Sequence, residues 1–133
     1  MMTVRYLLAL VALSAGFPAL KGDGREQPKL HELMQRKLEH SQKVLEGVAL
    51  NDFEKIAQNA RDLIRISKLA EWRVLKTPQY ELYSNEFRRD AETLAARAKE
   101  KNLDGAALAY VELTLTCVRC HKHVREVRVA RLD

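Results

Sequence analysis

The 133-residue chain has only two cysteines, no alternating run of β-branched residues and no apolar stretch long enough to span a bilayer. Each shortage narrows the field. Two thiols leave a structural zinc site short of its usual four protein ligands, and the histidines and carboxylates that would have to complete it stand at unsuggestive spacings. Without strand periodicity there is no βαβ setting for a thioredoxin-like pair, and no Asn-Gly or Asp-Gly turn joins two strand-like runs. Basic side chains are scattered among acids and form no stripe interleaved with aromatics, so nucleic-acid binding is not expected. No nucleophile stands with a base and no carboxylate pair is set for acid and base work, so the chain does not read as an enzyme. There is no long repeat and no low-complexity tract, and the length suits one domain with one core.

The first residues, MMTVRYLLALVALSAGFPALKG, carry one charge at Arg5 and then an apolar run from Tyr6 to Leu13 among small residues. This is the layout of a secretory signal, expected over residues 1–20 with cleavage between Gly16 and Lys21, which leaves a domain over 21–133. A bilayer-crossing helix needs about 20 apolar residues, so stable membrane insertion is not expected. No cysteine lies near the junction to carry a lipid. The 23 Lys and Arg against 18 Asp and Glu give a formal charge of +5, reduced to +4 when Arg5 leaves with the leader. An exported, periplasmic-type protein of mild positive charge is the expectation.

Beyond the leader the periodicity is helical throughout. Leu30, Leu33, Met34, Leu38, Ser41, Val44 and Leu45 recur at steps of three and four over 29–46. Asn51 followed by Glu54 resembles a capping box for a second helix, whose apolar side carries Phe53, Ile56, Ala60, Leu63 and, before Pro78, Trp72. A third helix is expected from about Ser84, with Phe87, Ala91, Leu94, Ala95 and Ala98 on its buried side. A fourth is expected from Asp104 as N-cap, with Ala107, Tyr110, Val111, Thr114 and Cys117 facing inward. Four helices with short connections predict an all-α antiparallel four-helix bundle.

The last helix runs into LTCVRCHKHVRE, which holds both cysteines. Cys117, Cys120 and His121 spell C-x-x-C-H, the attachment signal for c-type haem. On a helix, residues three and four apart share a face, so two sulfurs can reach two vinyl groups of one porphyrin while the imidazole supplies an iron ligand. A stabilising disulfide is the bland alternative, but so tiny a loop constrains the unfolded chain little. One covalent haem c, held through two thioethers, is therefore the predicted cofactor.

A single such motif near the C-terminus of an exported four-helix chain resembles the class II cytochromes c, the cytochrome c-prime group and its low-spin relatives. The resemblance spans residues 29 to 128 and includes VLEGVALNDFEKI as the first connection. It implies that Arg125, four residues past His121, approaches a haem propionate. Val124 replaces the aromatic residue the family places there. The family's distal residue comes from the first helix, where this chain offers LHELM. Met34 lies within the apolar stripe and is the expected sixth ligand. His31, nearer by the family's spacing, and an open site are the alternatives. Met34 ligation suits a one-electron carrier with a redox protein partner in a respiratory chain, whereas an open position suits binding or sequestration of small gases. The relatives also imply a possible homodimer. Arg119, Lys122, Arg128 and Arg131 form a basic tail able to steer an acidic partner. Trp72 and Tyr110 are read as walls of the haem crevice or core, His40 as facing the polar side, and His123 as pointing away from the porphyrin.

Overall fold

A computed structural model describes residues 26–131, and the expected leader and its cleavage junction lie outside them. Four helices follow in order: α1 (Glu26–Ala49), α2 (Phe53–Ile66), α3 (Pro78–Lys99) and α4 (Leu103–Val129), with one 3-10 turn at Ala70–Trp72 between α2 and α3. No strand occurs among the described residues. The architecture is thus an all-α bundle.

Two of the connections share one design. α1 ends and Asn51 turns left-handed at φ 56°, while α3 ends and Lys101 does the same at φ 55°. In each turn the next residue sends its N–H back to the helix just finished, Asp52 to the Gly47 carbonyl at 2.8 Å and Asn102 to that of Arg97 at 3.0 Å. That same residue then caps the following helix, since Asp52 accepts from Lys55 N and Asn102 from Gly105 N. The expected caps, Asn51 and Asp104, are each displaced. Asn51 is spent on the left-handed turn, and Asp104 already lies inside α4. Gly47 is required by packing, because a Cβ there would stand 2.8 Å from Ile56 Cγ1 and 3.1 Å from the Ile56 backbone nitrogen.

The link from α2 to α3 departs from expectation. α2 stops at Ile66, and Trp72 sits on the separate 3-10 turn. Pro78 begins α3 instead of merely ending what precedes it: its missing N–H costs nothing at the first helical position, and Thr77, extended at φ −105°, caps the helix by accepting from Tyr80 N. The third helix therefore starts six residues before Ser84.

The core gathers Leu33 and Val44 from α1, Ile56, Leu63 and Ile66 from α2, Phe87, Ala91 and Leu94 from α3, and Ala106, Ala109 and Leu113 from α4. Burying each large side chain contributes about 1.5–3 kcal/mol. The buried stripe of α3 is as expected. That of α4 is turned by about one residue, and that of α1 is as expected at Leu30, Leu33, Met34, Ser41 and Val44 but not at Leu38 and Leu45. Leu38 and Leu45 are roughly half exposed, and Lys37 is buried and His40 partly buried between Leu33 and Val44, beside the partly buried Met34 and Ser41. On α4, Val111 and Thr114 face solvent while Leu113 and Thr116 are buried. α4 packs extensively on α3 and only slightly on α1, whereas α1 packs on α2 and α2 on α3.

Candidate functional site

The register of α3 against α4 determines where the cysteine motif lies. Thr116, 1 % exposed, donates from Oγ1 to Asp90 Oδ2 at 2.7 Å and accepts from Arg119 Nη2 at 2.9 Å. Arg119 also reaches Glu86 Oε2 at 3.5 Å. Farther along, Thr77 Oγ1 and His123 Nε2 share a hydrogen bond of 2.9 Å, and the Tyr83 ring meets the His123 ring edge-on with centroids 6.1 Å apart. These pairs bracket Cys117, Cys120 and His121 on both sides. They hold the motif in helical form, which keeps the two sulfurs one turn apart.

Both thiols are free and half-buried, and both pack against the edge of the core together with Val124 and Val127. Burial pushes the Cys120 thiol above its ordinary value, opposed by the positive charge of Lys37 and reinforced by Cys117. His121 follows with its ring open to solvent by surface area. The chain crowding it still lowers its pKa, and the cations Lys37 and Arg125 act in the same direction. Solvent at the open edge of the ring screens these effects. A neutral imidazole is the form that ligates a metal.

Among the described residues no three His, Cys, Asp or Glu side chains are grouped so as to hold a metal ion. The donors of the motif are spaced along a helix instead of converging on one point. Spaced donors suit bonds made to separate positions on a flat ring, so the donor set fits a porphyrin better than a bare ion.

The other residues singled out in the sequence are placed as follows. Met34 is half-buried and packs on the core, as its place in the stripe requires. His31 is exposed. Arg125 is exposed and near enough to His121 to perturb it. His40 is not on the polar side: it is partly buried between α1 and α2, where its Nδ1 donates to Asn59 Oδ1 at 2.9 Å, with Asp62 at 3.6 Å. Tyr110 is half-buried on α4 and packs on the core.

Trp72 is buried, its indole N–H donating to Ser84 Oγ at 3.0 Å and its carbonyl accepting from the Tyr80 hydroxyl. Its ring lies 5.0 Å from that of Phe87 at a 39° tilt. Against this pair rests Lys37, with Nζ 4.9 Å from the Trp72 centroid and 4.7 Å from that of Phe87. Sequence reasoning missed Lys37, because a lysine between Arg36 and Leu38 reads as part of a solvated face. The available signal was its spacing, four after Leu33 and seven before Val44. In comparisons with family models, curated proteins and solved structures, no match to the chain was found.

Proposed function

We propose that the protein is an exported c-type cytochrome that carries one covalent haem and passes single electrons. One observation carries this reading: two free thiols share the half-buried face of α4, one helical turn apart, with a solvent-open imidazole immediately after the second. Cys117 and Cys120 would form the thioethers, His121 would ligate the iron, and Arg125 would meet a propionate. When bound, the haem supplies a metal that gains and loses one electron. The chain's own part is to orient the ring and limit water around it, by packing Cys117, Cys120 and Val124 against the core edge.

On α1, Met34, the half-buried soft donor, would be the second protein ligand to the iron, with the exposed His31 as the alternative. Met34 opposite His121 would raise the reduction potential, as thioether ligation does. A cleft of about 690 Å³ beside the Trp72 turn is lined by Lys68, Arg73, Lys76 and Arg88 against the single acid Glu81. This basic surface, with the basic tail, supports an acidic redox partner. No described helix is long and apolar enough to cross a membrane.

The test is natively matured protein from a host that attaches haem. A red product, heavier than its apoprotein by one haem and giving the pyridine haemochrome of two thioether links, is expected. A colourless chain of bare mass would end the proposal. Met34→Ala should convert a six-coordinate spectrum to a high-spin one. Rapid carbon monoxide binding by the unaltered ferrous protein, with no ligand displaced, would instead favour gas binding.

A further inference from the structure

We propose that Lys37 is a fixed internal cation that raises the reduction potential of the haem held by Cys117, Cys120 and His121, an inference that rests on the haem reading above. The residue is more than nine-tenths buried, at 7 % exposure. No carboxylate pairs with it among the described residues. The negative faces of two aromatic rings, Trp72 at 4.9 Å and Phe87 at 4.7 Å, are what hold the ammonium. The pincer is itself rigid. Trp72 is tied at its indole to Ser84 and at its carbonyl to Tyr80, and Phe87 lies in the middle of α3.

Helix α3 relates the cation to the motif. Phe87 stands between Glu86 and Asp90, and these two clasp Arg119 and Thr116 on α4. Its ring is therefore level with the turn that bears Cys117 and Cys120, and Lys37 is level with its ring. A buried ammonium without a counter-ion is an expensive way to fill space that a Leu or Met would fill better. Beside a redox centre it has a definite effect. Reduction transfers one electron from a one-electron reductant to the ferric iron, breaks no bond, requires no proton and removes one unit of positive charge from the site. A fixed cation nearby disfavours the more positive, oxidised state, and a low-dielectric interior screens that repulsion weakly.

The test compares matured wild-type protein with Lys37→Met, which keeps the length without the charge, Lys37→Gln as a second neutral variant, and Lys37→Arg, which restores the charge. Spectroelectrochemical titration should show both neutral variants with the wild-type absorption spectrum and a lower midpoint. The reduced-to-oxidised ratio at fixed potential should fall roughly tenfold, which for one electron is about 59 mV. Lys37→Arg should return most of the difference. Unchanged midpoints in the neutral variants would overturn the proposal. So would loss of six-coordination in them, which would make Lys37 an iron ligand, or failure of both to mature while Lys37→Arg does, which would make the charge structural. A wild-type product without haem defeats the underlying reading instead, and its mass reveals that before any variant is made.

Discussion

The clasp between α3 and α4 gives the sharpest prediction, because one hydroxyl mediates it. Thr116→Val keeps the β-branched shape, so helix propensity and core volume change little, and only the hydroxyl group is lost. With it go the 2.7 Å hydrogen bond to Asp90 and the 2.9 Å bond from Arg119. Hydrogen bonds to charged groups contribute about 1.5–3 kcal/mol each, and a charge stranded in the interior costs more. Asp90 and Arg119 are not fully buried, and each can turn to water, so the lower end applies and a net loss of about 2 kcal/mol is expected. Urea unfolding of the matured protein, followed by circular dichroism, should show a midpoint lower by about 1 M with an unchanged slope. Combining Thr116→Val with Asp90→Ala should give a coupling energy of about 1 kcal/mol, since the two changes remove the same bond. A loss below about 0.5 kcal/mol, or additive single effects, would refute the clasp and with it the register that places Cys117.

The left-handed Lys101 strains a side-chain-bearing residue, so Lys101→Gly should stabilise by about 0.5–1 kcal/mol, and an unchanged urea midpoint would contradict the turn geometry. Asp52→Ala removes the α2 cap and should cost about 1 kcal/mol, measured the same way. In the haem-free chain, burial keeps the Cys120 thiol protonated above its usual range, so alkylation near neutral pH should be slower at Cys120 than in the denatured chain; equal rates would refute its burial. His121 is lowered from its ordinary 6.5, so the unfolded chain takes up the proton first as pH falls. Its contribution to haem-free stability is thus full above 6.5 and lost as pH drops below that value. His121→Gln should flatten this part of the pH–stability curve, and an unaltered slope would count against the shift.

Much of this molecule is legible along the chain, for reasons particular residues make plain. The stripe of Phe87, Ala91, Leu94 and Ala98 reads correctly because α3 packs on both neighbours with nothing but apolar side chains at those steps. The stripe of α4 misleads by one residue, and that of α1 misleads at Leu38 and Leu45. Leu38 and Leu45 are as apolar as Leu33, so hydrophobicity alone cannot choose among them, and the choice falls to Lys37, whose ammonium finds two aromatic faces contributed by distant parts of the chain. His40 is misread for a similar reason, since its partner Asn59 lies nineteen residues away. Trp72 could not be placed from periodicity because helical spacing continues past Ile66, although the backbone leaves the helix there. The grouping of the two thiols and the imidazole, by contrast, is local, since Cys117, Cys120 and His121 fall within five residues of one helix.

Because each helix packs chiefly on its neighbour in sequence, the bundle can assemble without closing any long loop, and little chain entropy opposes its early steps. The one packing that joins the two ends of the described chain, α1 against α4, is slight beside those of consecutive helices. That seam is the natural last event of folding and the cheapest one to reopen. Opening it would bare the inner face of α1 while the α1–α2, α2–α3 and α3–α4 packings stay in place.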